Sequence, residues 1–283
     1  IVYGAAYDEH FTVYHTGADN IKELDELLGS KYMQSRIGRI YKEIQKELRT
    51  GKKIMFVGTG CQIGGLKGFL RKNYTNLITV DFICLGAPSP KVWKDYLDTY
   101  FAKENISYVN FKDKSLGWHT FSLRIDGKER FVKNGRKTYF FAGYFKQLYS
   151  RPSCSECIFK KGNRISDITI SDCWGYNHIA PEMDDNKGLS SVECHSEKGA
   201  ALFDSIKGGL EWKEADIEDV YRYNSNYCQS APMGKERAAF WKDYDVIPKK
   251  ELFEKYCQPQ RESYAKRMIM SVKSKVKRVV KKL

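Results

Sequence analysis

Lys53-Ile54-Met55-Phe56-Val57-Gly58-Thr59-Gly60-Cys61-Gln62 decides how this chain is built. The short apolar run Lys53–Val57 reads as a strand, Gly58–Gln62 as a glycine-rich turn, and Gln62–Arg71 as a helix. A second buried strand, Leu77–Cys84, follows and leads to Pro88-Ser89-Pro90. Ser89 suits an N-cap and Pro90 the first position of a helix over Lys91–Lys103. Strand–helix–strand–helix order implies parallel strands joined by crossover helices.

Working outward, Ile1–Tyr7 and Phe11–Tyr14 read as a hairpin, Ala18–Leu28 as a helix, Gly29-Ser30-Lys31-Tyr32 as a turn, and Ile37–Leu48 as another helix. Beyond the parallel unit, Ser107–Phe111, Thr120–Asp126 and Glu129–Lys133 alternate like exposed strands, with Asp126-Gly127 marking a tight turn. An aromatic helix is expected over Tyr139–Tyr149, a strand over Ile165–Ile170, a helix over Lys198–Ile206 behind Ser196, and short helices between Asp216 and Tyr256. The fold class is therefore α/β (α+β): a mixed sheet with a parallel β-α-β unit at the N-terminal end, antiparallel hairpins in the middle and a helical C-terminal region. Three regions are expected: an α/β part over 1–105, a mixed α+β part over 106–258, and a basic amphipathic tail over 259–283.

The 283 residues, 42% of them hydrophobic, suffice for a sizeable core. The formal charge of +13 is uneven: Arg261 to Leu283 holds nine Lys or Arg against one Glu, which leaves the body near +5. A nucleic-acid binder needs a basic face on the fold itself, so no nucleic-acid partner is expected. In the tail, Ile269, Val272, Val276, Val279, Val280 and Leu283 recur at helical steps among the basic residues, a pattern suited to an anionic membrane surface or, equally, to a frayed, solvated tail. There is no signal peptide and no apolar run of about 18 residues, so a cytoplasmic protein is expected, with residues 261–283 resting on the inner face of the membrane. The chain opens at Ile1 inside a strand pattern, and is read as a fragment whose N-terminal part is missing.

Eight cysteines in this length are too few for a disulfide scaffold, so metal binding or redox work outranks disulfides. Cys154 and Cys157 form a Cys-x-x-Cys pair, a chelate bite for one metal centre. Cys61 and Cys84 close adjacent parallel strands, whose C-terminal ends share one edge. Four thiolates from three segments suit a [4Fe–4S] cluster or a structural zinc. Taken alone, the Gly58–Gln62 turn also suits a buried free Cys, and the Cys-x-x-Cys a loop with idle thiols. Cys173 is a fifth candidate; Cys194, Cys228 and Cys257 read as ordinary thiols, and the five histidines show no ligand spacing. Lys31, Asn163 and Arg164 stand next to turns and are able to hold phosphates, or simply to be solvated.

Gly29-Ser30-Lys31-Tyr32, Gly58-Thr59-Gly60-Cys61-Gln62-Ile63, Cys84-Leu85-Gly86-Ala87-Pro88-Ser89-Pro90, Pro152-Ser153-Cys154-Ser155-Glu156-Cys157 and Asn163-Arg164-Ile165-Ser166-Asp167-Ile168-Thr169-Ile170 occur in this order. Together they resemble the coenzyme F420 hydrogenase/dehydrogenase beta-subunit family over roughly residues 1–205. The resemblance implies an oxidoreductase subunit that relays electrons between a [4Fe–4S] cluster, FAD and a two-electron carrier such as coenzyme F420 or another small-molecule acceptor. It implies Cys61, Cys84, Cys154 and Cys157 as cluster ligands, and Ser30, Lys31, Thr59, Gln62, Asn163 and Arg164 as the flavin or substrate shell. A ferredoxin-like segment or partner redox subunit is the implied electron source. The chain departs from the family at Gly60, where Pro is usual, at Leu85, where His is usual, and at Ser171-Asp172-Cys173-Trp174-Gly175, where Gly-Asp-Phe-Trp-Gly is common. The alternative is a zinc-stapled, non-enzymatic structural module.

Overall fold

The computed structural model describes residues 1–102, 105–160, 162 and 164–259. Nine strands and ten α-helices follow one another among these residues: β1 (Val2–Tyr7), β2 (Val13–Ala18), α1 (Ile21–Leu27), α2 (Ile40–Arg49), β3 (Ile54–Gly58), α3 (Gly60–Leu70), β4 (Leu77–Phe82), α4 (Pro90–Phe101), β5 (Tyr108–Asp113), β6 (Ser122–Asp126), β7 (Arg130–Asn134), α5 (Tyr139–Phe145), β8 (Ile168–Asp172), α6 (Tyr176–Ile179), β9 (Ser190–Cys194), α7 (Glu197–Ile206), α8 (Ile217–Tyr223), α9 (Arg237–Asp243) and α10 (Lys249–Tyr256). The expected tail helix over 261–283 lies outside the described residues.

A six-stranded sheet in the order β2-β1-β3-β4-β8-β9 forms the centre. β1, β3, β4 and β8 run parallel, and β2 and β9 close the edges antiparallel. The α/β class and the parallel β3–α3–β4 unit are as expected. The sheet draws strands from both sides of residue 105, because β8 joins β4 through Val80↔Ile168, Asp81↔Thr169 and Phe82↔Ile170. The expected antiparallel middle is a separate three-stranded sheet, β5-β6-β7, and its β6–β7 turn is a looser loop over 127–129 rather than a tight two-residue turn.

Local chemistry sets the element ends. α1 starts later than its sequence pattern suggests, because Ala18 completes β2 and the Asn20 side chain accepts the Glu23 N–H at 3.1 Å as N-cap. α5 stops at Phe145, short of the expected Tyr149, and Gln147 adopts a left-handed φ of 56° just past its end. Ser196 caps α7 by accepting the Gly199 N–H at 3.1 Å.

Two cores hold the sheet. In one, Ile40, Ile44 and Leu48 line a single face of α2 and meet Ile63, Leu66 and Leu70 of α3 over Phe56 of β3. Each such buried side chain contributes roughly 1.5–3 kcal/mol. The other packs Trp93, Phe111, Phe140, Phe141, Tyr144, Phe240 and Phe253, so α4, α5, α9 and α10 close against the small sheet.

Candidate functional site

The C-terminal ends of β3, β4 and β8 share one edge, the usual ligand-binding edge of a parallel sheet. Cys61 lies there in the first turn of α3, and Cys84 two residues past β4. The Cys-x-x-Cys pair is delivered by a short antiparallel splice. Ser89 N–H donates to the Tyr149 carbonyl at 2.9 Å and Arg151 N–H to the Ala87 carbonyl at 3.0 Å. A 3₁₀ turn over Pro152–Glu156 then carries Cys154, and Cys157 N–H is held by Ser230 Oγ at 3.0 Å. Phe159 returns the chain to α3: a Cβ on Gly64 would stand 2.6 Å from its Cζ, and one on Gly60 3.0 Å from its Cβ. Glycine at both positions is what permits this close approach, and it accounts locally for Gly60.

The sulfurs share a neighbourhood. Cys84 is within electrostatic reach of Cys61 and Cys154. Burial pushes its thiol up to about 11, against the pull of the Gly86 N–H at 3.3 Å and of the Lys160 ammonium. Thr59 Oγ1 lies 3.1 Å from Cys61 Sγ. Among the described residues, no three His, Cys, Asp or Glu side chains close around a point fit for one metal ion. Cys173, directly after β8, is buried, and burial raises its thiol. Cys257 belongs to the aromatic core.

Lys160 is the residue that sequence reading passes over. It is 6% exposed, and its ammonium donates to the Cys84 carbonyl at 2.6 Å and to the Asn226 carbonyl. Burial lowers its pKa, while Cys84, Cys157 and Cys154 hold it up and Arg164 presses it down. Among the described residues it has no carboxylate partner. The one signal in the chain is its place three residues after Cys157.

The other expected residues are placed as follows. Lys31 Nζ donates to the carbonyls of Leu27, Leu28 and Gly29 at 3.2, 2.8 and 3.3 Å, so it caps the end of α1. Burial brings its pKa down to about 8. Ser30 beside it is exposed. Gln62 and Thr59 belong to a polar chain behind the cysteine edge. Thr59 N–H donates to Gln62 Oε1 at 2.9 Å, Gln62 Nε2 to Ser35 Oγ at 2.8 Å, and Ser35 Oγ lies 2.8 Å from His15 Nδ1. His15 Nε2 lies 3.1 Å from the Val57 carbonyl, which only a ring N–H satisfies. Burial, aided by Lys31, brings His15 down to about 4, so the ring is neutral with Nδ1 as acceptor. Arg164 Nη1 donates to Asp81 Oδ2 at 3.0 Å, with the two side chains 5% and 1% exposed. Asp81 also accepts Ser166 and Thr169 hydroxyls, and Arg164 Nη2 is buried without a partner. Asn163 lies outside the described residues.

Beside Cys84 opens a cleft of about 340 Å³, walled by Leu85, Phe145, Gln147, Asn226, Ser230 and Met233. No helix among the described residues is long and apolar enough to cross a membrane.

Comparison with known proteins agrees with this architecture. No curated protein matches the chain. Among solved structures, a chain of the F420-reducing [NiFe] hydrogenase complex from Methanosarcina barkeri shares the fold with a TM-score of 0.51 at 12% identity, over 93% of this chain and 83% of that one. The family model for the C terminus of the coenzyme F420 hydrogenase/dehydrogenase beta subunit matches residues 51–220, more than half of the sequence and the whole span from β3 to the cysteine pair and β8. This chain therefore belongs to the coenzyme F420 hydrogenase/dehydrogenase beta-subunit family, a family of redox proteins.

Proposed function

We propose that this chain is an electron-relaying oxidoreductase subunit in which Cys61, Cys84, Cys154 and Cys157 hold a [4Fe–4S] cluster near FAD. Its electrons go to a two-electron carrier, coenzyme F420 or another small-molecule acceptor. The observation that carries this reading is the buried Lys160 ammonium facing Cys84, Cys154 and Cys157. A buried cation without an anion nearby costs several kcal/mol, and an anionic tetrathiolate centre offsets that cost. Both a cluster and a zinc ion would be anionic on four thiolates. Zinc needs all four sulfurs about 2.3 Å from one point, whereas a four-iron cubane accepts them farther apart.

When bound, such a cluster moves single electrons and a flavin converts between one- and two-electron carriers. The chain's own residues bind and tune. The Gly86 N–H directed at Cys84 Sγ and the Lys160 charge both favour the Cys84 thiolate, and would favour a more reduced centre. Tyr144, buried against Cys84 and Cys154, keeps water from that side. The flavin shell fits less well. Lys31, Thr59 and Gln62 direct their polar atoms to other protein groups, and Arg164 Nη2 is the buried donor that remains. Of that shell, Arg164 and exposed Ser30 stay available to a flavin.

Replacing Cys154 by Ser, in anaerobically purified protein, should remove iron and the visible absorbance together with flavin-dependent turnover. Unchanged iron rejects the assignment; colourless, zinc-containing protein selects the structural alternative. As partners we propose a ferredoxin-like segment or redox subunit as donor. We place the protein in the cytoplasm, with residues 261–283 on an anionic membrane. Liposome pull-down of chains ending at Leu283 and at Gln260 tests the last point, and equal binding removes it.

A further inference from the structure

Between α7 and the start of α8, four large apolar side chains stand in water. Ile206 is 51%, Leu210 50%, Trp212 43% and Ile217 37% exposed. Apolar side chains gathered on one exposed face mark interaction sites, whereas single ones do not. Here they gather. Trp212 packs edge-on against Phe203 of α7 at 5.7 Å, and Ile206 lies one turn beyond Phe203, so the apolar side chains of the connection join those of the helix. The connection itself is a strap laid over the outside. Residues 211–215 are all exposed, and their backbone makes no hydrogen bond with another described residue. The Trp212–Phe203 contact and a Lys213–Glu182 ion pair of 2.7 Å tie it down.

Charge decides what covers this face. Positions 204–219 hold six carboxylates against two lysines, on a chain whose net charge is strongly positive. Asp204 and Asp219 are paired with Lys207 and Arg222 at 2.6 and 2.9 Å, and Asp216 caps α8 by accepting the Glu218 N–H at 2.8 Å. Glu211, Glu214 and Glu218 are exposed and form no ion pair with another described residue. Such a face suits a segment that mixes basic and apolar residues. Residues 261–283 are that segment, with nine Lys or Arg, one Glu, and Ile269, Val272, Val276 and Val279 at helical steps. They start within reach. The Tyr256 carbonyl of α10 accepts the Lys146 ammonium at 2.8 Å, and Lys146 walls the same cleft as Ser225 and Asn226, just past α8. Residues 260–283, if wholly helical, would span about 36 Å. We infer that residues 261–283 dock on the 206–217 face of their own chain, with their apolar side on Trp212 and its neighbours and their lysines against Glu211, Glu214 and Glu218. The same segment is the one placed on a membrane above, so this face and an anionic lipid surface compete for it.

Trypsin, which cuts after Lys and Arg, reads the docking on the full chain without lipid. Cleavage within 261–283, followed by intact mass, should be about tenfold faster in Glu211→Gln/Glu214→Gln/Glu218→Gln than in the wild type, because protection tracks the population of the undocked state. High salt should abolish the difference by screening. Asp25→Asn/Glu26→Gln/Glu43→Gln, which removes as much charge from exposed positions elsewhere, should cleave as slowly as the wild type. Carbodiimide coupling of the wild type should join Glu211, Glu214 or Glu218 to lysines of the tail, and in a mixture of isotope-labelled and unlabelled protein no linked pair should mix the two. Equal cleavage of all three proteins at matched melting temperatures overturns the proposal, as does equal acceleration by the two triple variants. Mixed-isotope links overturn it in favour of a second copy. Protection that arises only when phosphatidylserine vesicles are added overturns it in favour of the membrane. None of these readouts depends on iron or flavin, so failure here is separate from failure of the redox reading.

Discussion

Acidification should unfasten the chain at His15 well before its carboxylates are all protonated. His15 is 4% exposed, and its pKa falls from the ordinary 6.5 to about 4 because burial opposes the imidazolium. Protonation also puts a second N–H against Ser35, whose oxygen already accepts Gln62 Nε2 at 2.8 Å. Below pH 6.5 the unfolded chain takes a proton at this residue, and the native chain does not until about pH 4. Stability from this group is therefore intact above pH 6.5 and declines to its floor near pH 4. At 1.36 kcal/mol per pH unit, that window amounts to about 3 kcal/mol, a large part of a domain's margin. Urea unfolding of the wild type and of His15→Gln across pH 4–7.5 isolates the term, since every carboxylate contribution cancels in the difference. The gap between the two stabilities should shrink by about 3 kcal/mol as pH falls through the window. A gap that stays constant within about 1 kcal/mol refutes the claim that the fold holds His15 neutral.

Three further outcomes follow from the same geometry. Asp81→Asn leaves the Arg164 guanidinium buried without its counter-charge and should cost about 3–5 kcal/mol in urea unfolding; a loss under 1 kcal/mol would show that the pair is not buried in solution. Gly64→Ala drives a methyl into Phe159 and should lower melting temperature by several degrees together with iron per chain, while Gly68→Ala, with open space at a helix-interior position, should raise the melting temperature slightly and leave iron unchanged. Lys160→Met, which keeps the stem but removes the charge, should lower the midpoint potential of the centre held by the thiols. An unchanged potential at full iron content denies Lys160 its electrostatic role.

What the sequence exposes is what short-range chemistry controls. The β3–α3–β4–α4 run is legible because apolar strands, a glycine turn and a Ser89–Pro90 start are all local signals. β9 is hard to see because Ser190–Cys194 is a half-exposed edge strand whose apolar content is one Val. The expected length of α5 overshoots because nothing in Lys146-Gln147 announces a left-handed residue. Lys160 looks on paper like any surface lysine; only the loop that folds back through Phe159 buries it. Lys31, Thr59 and Gln62 are legible as polar residues near the edge, but whether such atoms are free for a ligand depends on partners such as Leu28 and Ser35 brought in by the tertiary fold.

The splice of Ala87–Ser89 against Tyr149–Arg151, and the insertion of β8 between β4 and β9, carry an implication for biogenesis. No stretch of this polypeptide emerging early from the ribosome contains a finished set of sulfurs. Residues 61 and 84 must wait, with their edge unpaired, for a segment synthesised some eighty positions later. The cysteine pair at 154 and 157 is itself synthesised before β8 and β9, so the sheet can close beside that edge only after the last of these four thiols has left the ribosome.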